Sequence, residues 1–294
     1  MSRDLYQEVT DRIIEQLEQG VAPWVRPWRA DARSGGMPYN AISGKAYRGI
    51  NVALLYSNLY PETGWMTYKQ ASDVGANVRK GEKGSMIVFY KPFVVRDRNA
   101  PVNADGEHPE RTIPLLRAFH VFNLAQIENL PAKFLPQPDN RPEPERHATA
   151  ESLMSRATVK HGGDRAFYAP APDFIQLPDA RSFADMGAYY GTALHELTHW
   201  TGHSARLSRE YGKRFGDQAY AREELVAEMG AAFLCAHCGI AGKLQHPEYI
   251  SNWLQVLKGD KRAVLIAASH AQKASDFVLG VNPAEESEPI AAAA

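Results

Sequence analysis

The chain has 294 residues, 44% hydrophobic and 23% charged, which is the balance of a core-forming globular protein and excludes a fibrous or disordered chain. No run of about 18 apolar residues exists and the charged N-terminus lacks a signal-peptide core, so a cytoplasmic protein without a membrane span is expected. Net charge is −1 and the two cysteines, Cys235 and Cys238, are too few for a disulfide framework.

Residues 4–19 predict a helix, with Leu5, Val9, Ile13, Ile14 and Leu17 at helical spacing and Gly20 ending the run. The next thirty or so residues are rich in Gly, Pro and aromatics and read as loop and turn. Short helices are predicted over 50–58 and 68–75, and strands over 85–95 and 115–126, joined by a polar loop over 97–112. Between Arg26 and Lys91, ten Lys/Arg stand against four Asp/Glu, a local excess that suggests an anionic partner. In this window or just before it stand Trp24, Trp28, Tyr39, Tyr47, Trp65 and Tyr68. Exposed rings among cations suit single-stranded nucleic acid, because rings stack on unpaired bases and cations hold phosphates. The same rings are equally suited to a core.

Residues 128–150 hold five prolines and many charges and read as a linker. Beyond it, 151–160 begins helical, 166–178 reads as a strand pair, and helices are predicted over 182–201 and 219–238. One or two more helices fall within 247–279, and the tail from 284 to 294 is expected to be disordered.

The helix over 182–201 carries His195-Glu196-Leu197-Thr198-His199. Histidines four apart share a helix face and can grip one ion, while Glu196 can take a proton from a water beside it. Apolar neighbours Leu194, Leu197 and Trp200 imply a buried helix, where ionisable groups need a reason to be. Catalytic zinc usually takes three protein ligands. His203 lies two residues short of the third His of the HExxHxxGxxH pattern, so capping or packing is expected of it. The following helix offers Glu224 as third ligand and Glu228, one turn on, to accept a hydrogen bond from a metal-bound imidazole. Glu223 competes with Glu224 but faces about a third of a turn away. The strand pair near 166–178 would hold an extended peptide by its backbone. Tyr211, Tyr220 and His203 are the candidates for stabilising an oxyanion. Cys235 and Cys238, at i and i+3, read as small buried hydrophobes. Zn2+ is the expected ion, with Mn2+ or another divalent transition metal as alternatives.

The phrases PYNAISGKAYRGIN, GWMTYKQASDVGANVRKGEKGSMIVFY, TALHELTHWTGH, AREELVAEMGAAFLC and SNWLQVLKGDKRAVLIAASHAQKASDF resemble the ArdC antirestriction family, over most of residues 4–280. The resemblance implies an α+β protein: a single-stranded-DNA-binding domain over 1–127, the linker 128–150, and a zincin-like metallopeptidase domain of the gluzincin type over 151–283. It is consistent with His195, His199 and Glu224 as ligands and Glu196 as base. It implies a plasmid-borne protein of conjugation that protects incoming DNA from restriction. DNA contacts are then expected at Trp24, Tyr47, Arg48, Lys69, Arg79, Lys80 and Lys83, chosen for their chemistry and their place in these phrases. The alternative is a non-proteolytic coat on single-stranded DNA, with a structural metal site. A metal-dependent nuclease is disfavoured, since those sites are Asp-rich and bind hard cations through oxygen.

Overall fold

The computed structural model describes residues 4–19, 23–24, 36–96, 101, 108–135, 143–209, 218–241 and 250–282. Helix α1 (Leu5–Glu18) starts where Asp4 caps it, its carboxylate accepting from the N–H groups of Tyr6 and Gln7 at 3.1 and 3.2 Å. Val9, Ile13 and Leu17 form its buried stripe. Helix α2 (Ile50–Tyr56) is buried throughout. Its Asn51 side chain exchanges two hydrogen bonds of 2.8 Å with the backbone of Val88, as a neighbouring strand would.

Strand β4 (Ser85–Arg96) pairs antiparallel with β5 (Glu110–Asn123), from Ser85 opposite Val121 to Arg96 opposite Glu110. The second strand starts five residues before the expected 115, so 110–112 is strand and not loop. Cross-strand pairing with β4 carries the polar residues Glu110 to Thr112, which have no apolar alternation to announce them. At its other end β5 gives way to a 3-10 turn over Leu124–Gln126, where Asn123 and Gln126 form a capping box. Strands β1 (Tyr39–Asn40) and β2 (Gly64–Met66) complete a four-stranded sheet of order β1-β2-β5-β4. Helix α3 (Tyr68–Asp73) is opened by a Thr67/Gln70 capping box and packs over the pair β3 (Asn77–Val78) and β6 (Ile127–Glu128).

The stretch expected to be a linker is partly structured. Ile127–Glu128 is paired, Phe134 is buried, and helix α4 (Glu143–Met154) begins eight residues before the expected 151. Pro144 does not prevent this, because a first-turn N–H has no helical partner to lose. Strands β7 (Val159–His161), β8 (Phe167–Ala169) and β9 (Phe174–Leu177) form a sheet of order β7-β9-β8. Helix α5 (Met186–Thr201) starts at Asp185, whose carboxylate accepts from Ala188 N–H at 2.7 Å. It is followed by α6 (Gln218–Cys238), α7 (Ile250–Gly259) and α8 (Ala263–Leu279).

Two main cores result. The first joins Ile13 of α1, Leu54 of α2 and Met86 of β4 to Phe233 of α6, Trp253 of α7 and Val264 of α8. The C-terminal helices therefore close the core of the N-terminal half, and the composition change at 128–150 does not divide it. Ion pairs Lys258–Glu18, Lys261–Asp4 and Arg48–Asp276 seal the same junction. The second core sets Ile175 and Leu177 of β9 against Leu194 and Leu197 of α5 and Leu234, Cys235 and Cys238 of α6. Both cysteines are buried there. Among the described residues no helix is long and apolar enough to cross a membrane. The tail 284–294 and Trp28 lie outside the described residues.

Candidate functional site

The site lies where α5 and α6 touch. A Cβ placed on Gly230 of α6 would fall 2.5 Å from Cγ2 and 2.9 Å from Oγ1 of Thr198, so only glycine permits this approach. Thr198 cannot easily yield, since it is buried and its hydroxyl donates to the Leu194 carbonyl at 2.8 Å. Gly230→Ala is expected to lower stability by about 1–3 kcal/mol, the usual cost of overpacking, and to weaken metal binding by displacing α6. Adding Thr198→Ala should recover most of both losses. Thermal melts and metal titrations of the two variants check this, and an unaltered single variant would refute the close contact.

His195 and His199 project from α5 and Glu224 from α6 onto one point. Nε2 of His195 is 3.1 Å from Nε2 of His199 and 3.4 Å from a Glu224 oxygen, and the other Glu224 oxygen is 3.6 Å from His199 Nε2. Donors about 2.0–2.1 Å from a tetrahedral ion stand roughly 3.4 Å apart, so the three groups fit one such ion. Among the described residues, these three form the group with donor atoms all within 4.8 Å of one another. Glu196 is buried beside them on α5.

The remaining ring nitrogens face acids. Glu228 lies 3.8 Å from His195 Nδ1. Glu223, read from the sequence only as a competitor of Glu224, instead meets His199 Nδ1 at 3.1 Å. Behind it stands Arg209, which the sequence did not single out. Its guanidinium donates to both Glu223 oxygens at 2.8 and 3.0 Å. Nothing in local spacing could reveal this pair, because Arg209 lies in the turn after α5 and reaches α6 only through the fold.

Electrostatics follow from burial and these pairings. Burial lowers the His195 pKa, outweighing the hydrogen bond to Glu224. Burial opposes the charged form of His199 as well, but Glu223 and Glu224 outweigh it and push it up to about 10. Glu224 is held well below the carboxylate range by both imidazoles, against its own burial. An ion must displace a proton from this cluster, so metal affinity should rise with pH. Titrations at about pH 6 and about pH 8 should show the tighter binding at the higher value.

The turn after α5 is tethered to the sheet. Arg206 pairs with Asp173, donates to Tyr168 at 3.1 Å and covers the Trp200 ring at 4.0 Å. Hydrogen bonding to Arg206 holds the Asp173 pKa down to about 2. His203 is outside the ligand group, and its Nδ1 accepts from the Ala205 N–H at 3.1 Å, a local turn contact. Tyr220 is half-buried at the start of α6, and Tyr211 lies outside the described residues.

Two of the expected DNA contacts need correction. Trp24 is 0% exposed and packs edge-on against Trp253 with centroids 5.5 Å apart. Tyr47 is 1% exposed, and burial raises its pKa to about 12. Neither ring can offer a face to a base, because both are buried in the core that the C-terminal helices close. Tyr39 and Trp65 are buried too. Arg48 is half-buried and paired with Asp276 on α8. Lys69, Arg79, Lys80 and Lys83 are exposed, with Arg79 bound to Glu82 at 2.8 Å. Tyr68 remains 65% exposed, edge-on to Phe122 at 6.3 Å.

Similarity to known proteins bears on this geometry. The family model of the N-terminal domain of anti-restriction factor ArdC matches residues 3–122, and that of a zincin-like metallopeptidase matches residues 147–270. The metal-free crystal structure of the antirestriction ArdC protein from the R388 plasmid is similar with a TM-score of 0.77 and 39% identity, over 94% of this chain and 97% of that one. The chain belongs to the ArdC antirestriction family. The Mn(II)-bound structure of the R388 protein is similar with a TM-score of 0.72 and 37% identity, over 95% and 98% of the two chains. The y4eC protein of Sinorhizobium fredii is 37% identical over 94% of this chain and 91% of its own. A DNA primase TraC of Escherichia coli is 40% identical over 95% of this chain, and the chain spans 27% of that relative's length. The α+β architecture is thus an ArdC N-terminal domain followed by a zincin-like domain, a fold that implies a divalent metal.

Proposed function

We propose that this chain is a DNA-bound, metal-dependent peptidase that protects incoming DNA from restriction. The observation that carries the reading is the convergence of His195, His199 and Glu224 within 3.1–3.6 Å, with Glu196 buried alongside. Two imidazoles and one carboxylate suit Zn2+, and Mn2+ can take the same donors. A bound ion would polarise a peptide carbonyl and acidify water. Glu196 would accept the proton of the attacking water and return it to the leaving amine. Strand β8, at one edge of its sheet and packed against α5, would hold an extended peptide through backbone hydrogen bonds. The test is cleavage by purified protein with and without single-stranded DNA and a chelator. DNA-stimulated cleavage, or self-cleavage, that the chelator abolishes supports the peptidase. No cleavage with DNA binding intact makes the protein a coat on single strands.

The DNA surface we propose centres on Tyr68 and Phe122. Gly84 adjoins the Phe122 ring, since a Cβ there would lie 3.2 Å from Cζ, and the exposed Lys83 and Lys69 are the chain neighbours of Gly84 and Tyr68. Tyr68→Ala should weaken binding to single strands by the roughly 1–3 kcal/mol that one stacked base provides. Lys69→Ala and Lys83→Ala should each flatten the salt dependence of binding by about 0.7 in slope for a phosphate contact. Equal affinity of the Tyr68→Ala variant and the wild type for single strands would remove the stacking surface. A flat salt response would remove the basic one.

A further inference from the structure

We infer that Arg209 and Glu223 act as a positioning pair that sets metal affinity through His199; this rests on the metal site proposed above. Both side chains are almost wholly buried, at 4% and 6% exposure. Burying two charges is expensive unless the geometry repays it. Here the guanidinium spends its donors on Glu223, on the Thr198 carbonyl at 2.7 Å and on Thr201 Oγ1 at 2.8 Å. The contacts to Thr198 and Thr201 cap the last turn of α5, where a cation is favourable. Capping alone does not require Glu223. The carboxylate matters because its Oε1 also meets His199 Nδ1, at 3.1 Å. An Nδ1–H donated there fixes the tautomer, so that when the other proton leaves, the Nε2 lone pair is aimed at Glu224 and His195. Arg209 holds both carboxylate oxygens, so the Glu223 plane cannot rotate away from the ring.

The pair also reaches beyond the ligands. The corresponding acid on the other imidazole, Glu228, stands 3.8 Å from His195 Nδ1, against 3.1 Å from Glu223 to His199 Nδ1. Arg209 is three residues from Arg206, which is tied to Asp173 in the turn between β8 and β9. The turn after α5 therefore links the sheet proposed to hold substrate to the orientation of one metal ligand.

The test uses full-length protein and Co2+, with affinity read by chelator competition and ligand geometry by visible absorption of the saturated protein. Glu223→Gln and Arg209→Met should each lower affinity about 10- to 100-fold, the range for partners of metal ligands. Both should alter the shape of the cobalt bands. The double variant should lose little more than the worse single variant, because the two act in series. A general loss of structure would lower the amount of ion bound without changing band shape, and that outcome would overturn the inference. So would single variants with wild-type affinity, or losses that multiply in the double variant. His199→Ala separates the two readings: if wild type binds no Co2+, or His199→Ala binds it as well as wild type, the metal site itself fails.

Discussion

Glu196→Gln is expected to reduce peptide-bond cleavage by about 10²- to 10⁴-fold, the contribution of a positioned general base. Metal content and affinity for single-stranded DNA should not change. Glutamine keeps the size and the hydrogen-bonding carbonyl of glutamate but cannot take a proton from water at neutral pH. The side chain is buried on α5, next in sequence to His195 and three residues from His199, and the near-isosteric amide fits the same space. The measurement is a cleavage time course for both proteins, with metal quantified in each and DNA binding followed by fluorescence anisotropy. Full cleavage by the variant would strip Glu196 of its role. Lost cleavage together with lost metal would show that the residue supports the site and not the chemistry.

Glu224→Ala should weaken metal binding by more than the roughly 100-fold that a supporting residue commands, because it removes a donor. The two Nε2 atoms of His195 and His199 would remain, 3.1 Å apart, and among the described residues no other His, Cys, Asp or Glu joins them in a ligand group. Glu223 cannot substitute, since its oxygens are committed to His199 Nδ1 and Arg209 on the far side of the ring. Glu223→Ala should therefore cost less metal affinity than Glu224→Ala. Metal titration of the two variants side by side decides this, and the reverse order would reassign the third ligand.

Much of this was legible in the chain. Amphipathic spacing located α1 to within one residue, β4 and α6 lie within one residue of the expected 85–95 and 219–238, and α5 starts four residues after the expected 182. The HExxH spacing and the i, i+4 pair Glu224 and Glu228 put the candidate ligands on two helix faces, because a helix converts spacing into direction with little help from elsewhere. The short strands β1, β2, β3 and β6 were not legible, since two or three residues carry no period. Helix α4 was hidden by proline and charge, whose composition suits a linker as well as a first turn.

Sequence by itself determined the local geometry: which residues share a face, and therefore which groups could hold a metal. Tertiary structure alone decided which of several chemically equivalent residues serve. Glu223 and Glu224 are adjacent and identical in kind, and the docking of α6 on α5 at Gly230 turns Glu224 to the Nε2 atoms of His195 and His199 and Glu223 to Arg209. Trp24, Tyr47 and Tyr68 are alike as aromatic residues in or beside one basic window. Trp24 packs against Trp253 of α7, Tyr47 is buried in the same core, and Tyr68 stays in solvent. Burial by elements distant in the chain depends on long-range packing, and no short-range pattern in the sequence encodes it.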